Sequence, residues 1–360
     1  MKFIHLHILN KNSVAGGIEN LVYRIEQDKE DWPDTQHKIF KIAPNKLIVF
    51  LFSRKKLRKL VLLVALFRLI IIFSMYKFHL RLKVNFIYHT AEAHFLLYLF
   101  LKLTKSSSRM NNIVYFHQSP ALYPKKIFRY TSDLCGDVRL TFILYSSQLL
   151  REWQVNAEAK IFIIHAAPRS PSFKSINEFS YPYILFVGRD VEWKGLDLAI
   201  KFTKEIAYFI PKIKLLVVGG NAISLHKKWS PQLSQNCVKF LGNQSLPPYQ
   251  NALFFLSPSD FSKSLESFGI AGLESISYGV PIVARDNATS DYNSLPGIYT
   301  ISDIKYILHK SKNNNDAISQ LLKLRLDDSQ KKYWELELSF ERYIKDLKNV
   351  LNNTGKILKS

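Results

Sequence analysis

Short apolar runs alternate along the chain with longer stretches in which apolar residues recur every three or four positions. This is the rhythm of strands and helices in parallel α/β sheets. A first series predicts strands at Phe3–Ile8, His37–Ile42, Val84–Tyr88, Asn112–Phe116, Leu140–Tyr145 and Ile161–Ile164. The rhythm stops at "HAAPRSPSFKSINEFSYP", which is rich in Pro and Ser and has no apolar period, so residues 166–182 are expected to form an interdomain linker. A second series predicts strands at Tyr183–Val187, Ile213–Val218, Val238–Leu241, Ala252–Leu256 and Pro281–Ala284. The chain closes on the helical pattern "YWELELSFERYIKDLKNVLNN". The expected organisation is therefore an α/β domain over 1–165, a second over 183–330, and a C-terminal helix over 331–360 that packs back on the first domain. Each series describes a doubly wound, Rossmann-like sheet, which holds ligands at the carboxyl ends of its strands.

Composition supports two cores, since 360 residues at 47% hydrophobic can bury both. The charge changes the picture more. Fifty Lys and Arg against 29 Asp and Glu give +21, a balance that suits an anionic partner. Residues 36–151 hold 20 basic and three acidic residues, so this stretch carries +17 of the total. Within it, Arg54, Lys55, Lys56, Arg58 and Lys59 lead into an apolar helical run, Leu60–Tyr76, that Arg68 interrupts. A spanning helix needs about 20 apolar residues and tolerates a central charge poorly, so this run is expected to lie in a core or at an interface. Further along, "YPKKIFRY" interleaves Lys125, Lys126 and Arg129 with aromatic rings. Together these residues form a candidate face for an anionic membrane and the acceptor that it carries. Nucleic acid would fit the charge as well, but no nucleic-acid-binding motif accompanies it. Two distant cysteines, Cys135 and Cys237, suggest neither a disulfide framework nor a zinc site, and "MKFIHLHILN" makes a first strand rather than a signal peptide. A cytoplasmic protein, peripheral on the inner face of the cytoplasmic membrane, is the expectation.

The loops after the strands carry the candidate chemistry. Gly16 and Gly17, in "KNSVAGGIEN", permit close backbone approach at the start of a helix. After the first strand of the second series, "FVGRDVEWKG" places Gly188 at a turn with Arg189 and Lys194 flanking it, two cations able to clamp a diphosphate. Neither a dinucleotide-binding fingerprint nor a P-loop is present. "SLESFGIAGLES" sets Glu266 in the loop just before a helix that begins near Gly269, and Glu274 about two turns on from Glu266. The N–H groups of Phe268, Gly269 and Ile270 then lie at a helix start, where an anion is favoured.

These pieces resemble the retaining glycosyltransferases of family 4, which have the GT-B fold of two Rossmann-like domains facing across a cleft. "AGGIEN", "FVGRDVEWKG", "LLVVGG", "VKFLGN" and "LSPSDFSKSLESFGIAGLESISYGVPIVA", with its E-x7-E pattern, carry the likeness. It implies that Glu266 contacts the donor sugar and Glu274 the nucleotide ribose. Arg189 and Lys194 would hold the diphosphate, and Gly16 and Gly17 would face it. "VYFHQSP" implies that His117 sits at the reacting sugar and the acceptor. Two stretches depart from the family pattern, His165-Ala166-Ala167 before the linker and the abbreviated "YNSLPGIYTISD".

The implied activity is hexosyl or N-acetylhexosaminyl transfer with retention, from a UDP-sugar or GDP-mannose to a lipid-linked or lipopolysaccharide acceptor in surface-polysaccharide synthesis. The implied route is front-face, with the departing phosphate taking the acceptor's proton. No Asp-x-Asp pattern is present and the cations replace a divalent ion, so no metal and no cofactor are expected. Two other readings remain, a catalytically silent GT-B scaffold of a glycan-assembly complex and a basic nucleic-acid-binding protein.

Overall fold

A computed structural model of the chain describes residues 3–11, 22, 24–25, 35–43, 57–75, 83–104, 111–117, 120, 123, 125–165, 167, 179–232, 237–244, 247–260, 269–286 and 295–356. The chain divides into two compact units, Met1–His165 with Tyr343–Ser360, and Ala166–Arg342.

The first unit is built on six parallel strands, β1 (Phe3–Lys11), β2 (Thr35–Ala43), β3 (Lys83–Tyr88), β4 (Asn111–Phe116), β5 (Thr141–Leu144) and β6 (Lys160–Ile163). Their order in the sheet is β2-β1-β3-β4-β5-β6. Consecutive residues Ile113–Phe116 and Phe142–Leu144 are all fully buried, as a parallel sheet covered on both faces requires. The helices are α1 (Arg58–Ser74), α2 (Ala91–Thr104), α3 (Lys125–Cys135) and α4 (Ser147–Trp153), and α2 packs against both α1 and α3.

The apolar run expected at Leu60–Tyr76 is α1, and it is core on one side only. Val61, Leu62, Ala65, Leu66 and Leu69 are buried, while Leu60, Leu63, Val64, Phe67, Ile71 and Met75 are each 47–59% exposed along the opposite face. Arg68 flanks that stripe without interrupting it, because its guanidinium lies 5.0 Å over the Phe40 ring and donates to the Lys41 carbonyl. No helix of the described residues is long and apolar enough to cross a membrane.

The second unit has its own six-stranded parallel sheet, β7 (Tyr183–Val187), β8 (Lys214–Val218), β9 (Val238–Gly242), β10 (Phe255–Ser257), β11 (Ile282–Ala284) and β12 (Ile298–Thr300). Its order is β12-β11-β10-β7-β8-β9. Its helices are α5 (Leu196–Ala207), α6 (Ala222–Trp229), α7 (Gly269–Ser277), α8 (Ile301–Lys310), α9 (Asn314–Leu322) and α10 (Asp328–Leu338). The core joins Ile184, Phe186, Leu215 and Val217 of the sheet to Ile200, Phe202 and Ile206 of α5 and to Ile304 and Leu308 of α8.

Two expectations need correction. β12 went unread because three half-buried residues show no alternation. The single terminal helix expected over 331–360 is two helices, α10 and α11 (Phe340–Lys356), parted at Ser339. Ser339 is extended, at φ −67° and ψ 156°, and its hydroxyl accepts from the Arg342 N–H, capping the next helix. α10 stays with the second unit, whereas Tyr343, Ile344, Leu347, Val350 and Leu351 of α11 are buried and belong to the first.

Candidate active site

In the second unit the chain steps from β7 to β8 to β9 in one direction, then returns to the other side of β7 for β10, β11 and β12. The strand order therefore reverses between β7 and β10. A parallel sheet is open to ligands at such a point, because the loops leaving the two strands diverge. The loop after β7 carries Gly188, Arg189 and Lys194, and the loop after β10 leads into α7 with Gly269, Ile270 and Glu274.

Glycines lace the strand ends together. Gly188 donates its N–H to the Val218 carbonyl at 2.9 Å, and Gly219 donates to the Gly242 carbonyl at 2.8 Å. Gly219 has φ +124°, and a Cβ there would stand 2.2 Å from the Gly188 carbonyl oxygen. Only glycine fits. The β7 loop then makes a short 3-10 turn, Glu192–Lys194, that ends at Gly195 with φ +70°. Asp260 donates its N–H to the Trp193 carbonyl at 2.7 Å, and a Cβ on Gly195 would meet the Pro258 carbonyl at 2.5 Å. The two loops flanking the reversal are thus strapped to each other. Asp260 in turn pairs with Arg285, which follows β11, at 3.1 Å.

Arg189 is exposed, whereas Lys194 is half-buried with its ammonium 4.7 Å from the centre of the Trp193 ring. The neighbouring Asp190 is engaged by Lys228 at 2.6 Å. Glu274 lies in the second turn of α7, only 5% exposed, and its Oε2 accepts the hydroxyl of buried Tyr249 at 3.0 Å. α7 opens on Gly269 at φ +62° and runs nine residues, so its free N–H groups and positive dipole end lie at Gly269. Glu266 and Phe268 lie outside the described residues, as do Gly16, Gly17, Arg54, Lys55 and Lys56. Of Arg58 and Lys59 only the backbone, in the first turn of α1, is described.

Residues 170–336 match the model of the glycosyl transferases, group 1. The matched stretch covers most of the second unit. No curated protein matches the sequence. Among solved structures the chain is similar to a glycosyltransferase from Rickettsia africae ESF-5, at 16% identity over 99% of each chain and a TM-score of 0.67. It is also similar to the apo form of WaaB, a lipopolysaccharide outer core galactosyltransferase, at 17% identity over 98% of this chain and 99% of that one, with a TM-score of 0.63. A third, the pneumococcal O-GlcNAc transferase GtfA in complex with UDP and GlcNAc, matches at 15% identity over 77% of this chain and 58% of that one, with a TM-score of 0.54. At such identities the likeness is one of fold, and it shows the GT-B architecture of two parallel six-stranded sheets. The loop Gly188–Gly195, Pro258–Asp260 and the start of α7 at Gly269–Glu274 fall inside the matched stretch.

His117 lies in the first unit, at the end of β4. It is 9% exposed and stacks on Tyr115 at 4.1 Å between ring centres, with Tyr145 edge-on at 4.7 Å. Burial, reinforced by His94, pushes it well below the ordinary imidazole range, so it is neutral. Its Nε2 meets His89 Nδ1 at 2.9 Å, and its Nδ1 has no hydrogen-bond partner among the described residues. Lys125, Lys126 and Arg129 are exposed on α3, around the 39%-exposed Phe128. The sequence reading missed Tyr249, the Asp260–Arg285 pair, and the three histidines that continue from His117 (His89, His7 and His37). Only the alternation of histidines with apolar residues in "FIHLHILN" hinted at the last of these.

Proposed function

We propose that the second unit is a glycosyltransferase domain that binds a nucleoside diphosphate sugar at the reversal between β7 and β10, and that the sugar is transferred with its anomeric configuration retained. The observation that carries this reading is the strapping of the cation-bearing loop to the loop that leads into α7. Asp260 N–H on the Trp193 carbonyl and Gly195 against Pro258 hold the two together where a ligand is expected. In this reading Arg189 and Lys194 take the diphosphate, α7 offers its N-terminal N–H groups, and Glu274 takes the ribose hydroxyls. Negative charge grows on the leaving phosphate as the sugar becomes oxocarbenium-like. Preorganised cations and N–H groups lower that barrier without a divalent ion. Glu266 would hold the donor sugar, and Gly16 and Gly17 would approach the phosphates. UDP-sugars come first as donors, in line with the UDP bound to GtfA; GDP-mannose is the second choice.

The acceptor in this reading is a lipid-linked or lipopolysaccharide glycan at an anionic membrane surface. Six large apolar side chains lie exposed along one face of α1, beginning next to the basic cluster 54–59, and α2 alone separates α1 from the basic α3. An apolar stripe beside cations suits the headgroup region of a bilayer. The similarity to WaaB points the same way. A thermal-shift screen of UDP, GDP and their sugars tests the donor site. At a hundred times its dissociation constant, a ligand of the native state adds about 2.7 kcal/mol of stability. A screen without any shift for the wild type, or a shift that an Arg189→Ala control leaves undiminished, would refute the site.

A further inference from the structure

Four imidazoles cross the first unit in a row. His37 Nδ1 meets His7 Nε2 at 2.9 Å, His7 Nδ1 meets His89 Nε2 at 3.0 Å, and His89 Nδ1 meets His117 Nε2 at 2.9 Å. Successive ring centres are 5.3, 5.2 and 5.1 Å apart, with interplanar angles of 29°, 22° and 20°. The sheet register generates the row. His37 pairs with His5, and His7 is two residues on; His7 pairs with Ile87, and His89 is again two on. Tyr88 pairs with Val114, which sets His89 beside Tyr115, two residues before His117. Each step crosses one strand and advances two residues, so every ring stays on one face, with His37 and His7 in β2 and β1 and His89 and His117 directly after β3 and β4. The His7–His89 link lies between β1 and β3, where the strand order of this sheet reverses.

A neutral imidazole has one N–H and one lone pair. All three bonds can be made only when every ring carries its proton on the same nitrogen. With every ring as the Nε2–H form, His117 presents a lone pair at Nδ1; with every ring as the Nδ1–H form, it presents a donor there.

We propose that His37, His7, His89 and His117 form a tautomer-coupled proton relay that removes the proton from a hydroxyl bound at His117 Nδ1. The hydroxyl proton goes to His117 Nδ1, and the Nε2 proton of His117 passes to His89 Nδ1. That of His89 passes to His7 Nδ1, and that of His7 to His37 Nδ1. The hydroxyl oxygen keeps its electron pair for the bond it forms. His37 then holds a proton on each nitrogen, and because its Nε2 is enclosed by protein the proton leaves by the way it came. The reverse passage resets the rings. His37 is the half-buried ring of the row, and burial with the nearby Lys348 lowers it to about 4, so it does not retain the proton. Among the described residues, His94 from α2, Tyr115 and Tyr145 are titratable groups against the row, and Tyr343 of α11 interacts with Tyr115. Burial holds His94 at about 4 and raises Tyr115 well above its ordinary value, so neither competes for the proton. That the hydroxyl served is the sugar acceptor's rests on the transferase reading, and the relay would then stand in place of the departing phosphate as the base. The relay itself does not rest on it.

The experiment is imidazole 15N spectroscopy on the full chain, which requires no turnover. In the wild type all four rings should share one tautomer. His37→Glu offers His7 Nε2 only an acceptor and should set His117 Nδ1 as the unprotonated, pyridine-like nitrogen. His37→Lys offers only a donor and should convert the same nitrogen to the protonated, pyrrole-like class. Identical His117 resonances in the two variants, or neighbouring rings of opposite tautomer in the wild type, overturn the relay. The wild-type spectrum alone decides if either variant does not fold. Failure of donor binding with coupled tautomers intact would instead sink the transferase reading and leave the relay standing.

Discussion

Glu274→Gln isolates the charge of the buried carboxylate from its packing. The amide oxygen can still accept the Tyr249 hydroxyl, which now sits 3.0 Å from Oε2, so the contact between α7 and the chain before β10 survives. The negative charge offered to a ribose hydroxyl does not. A hydrogen bond to a charged group is worth about 1.5–3 kcal/mol, so the dissociation constant for UDP should rise by roughly 10- to 150-fold with little change in unfolding free energy. Glu274→Ala should lose the same affinity and also destabilise the domain, because Tyr249, 2% exposed, loses its acceptor at a cost of about 1–3 kcal/mol. Tyr249→Phe reverses the emphasis, with a stability loss of about 0.5–1.5 kcal/mol and a smaller effect on binding. Titration calorimetry with UDP and urea unfolding on the three variants separate the two quantities. Wild-type UDP affinity in Glu274→Gln would refute the ribose assignment.

Gly219→Ala should destabilise the second unit by more than about 4 kcal/mol, the range of severe core lesions, because its Cβ would strike the Gly188 carbonyl at 2.2 Å; a variant that unfolds at the wild-type urea midpoint would show that the strand ends are not so tightly laced. Stability should fall as pH drops below about 6.5. His37 and His94 are held near 4 by burial, the unfolded chain binds their protons first, and each ring costs roughly 3 kcal/mol by pH 4; unfolding curves that do not change between pH 7 and 4.5 would contradict the burial of these two rings in neutral form. Replacing Leu60, Val64, Phe67 and Ile71 by Ser, or Lys125 and Lys126 by Glu, should release the protein from anionic liposomes in co-sedimentation without changing UDP binding. Wild-type protein that stays in the supernatant at low and physiological salt would exclude the membrane face.

Much of this was legible in the chain because a parallel strand buried on both faces writes itself as an unbroken apolar run. Tyr183–Val187 was read to the residue, and "LLVV" marks β8 as plainly. β12 was not, since an edge strand of three half-buried residues carries no such run. The break at Ser339 was hidden by helical periodicity on both sides of it, and one capping serine in a polar stretch carries little signal. At the proposed site, Arg189 and Lys194 stood out because charge in a loop after a strand is conspicuous. Tyr249 and the Asp260–Arg285 pair were not, because they matter only through partners 25 residues along the chain or more. The histidine row is the clearest case. His7, His37, His89 and His117 are widely separated in sequence, and only the register of four adjacent strands lines up their rings.

The central claim is that the cations at the β7–β10 reversal drive sugar transfer from a nucleoside diphosphate. Its most direct test follows nucleoside diphosphate release from a panel of UDP- and GDP-sugars, with glycolipid acceptors presented in anionic vesicles, for the wild type, Arg189→Ala and Lys194→Ala. The account predicts turnover of at least one donor by the wild type, unchanged by EDTA. It predicts a loss of about 10²–10³-fold in each variant, the range for removing a preorganised transition-state charge. Turnover that survives both substitutions, or that chelation abolishes and magnesium restores, would contradict it.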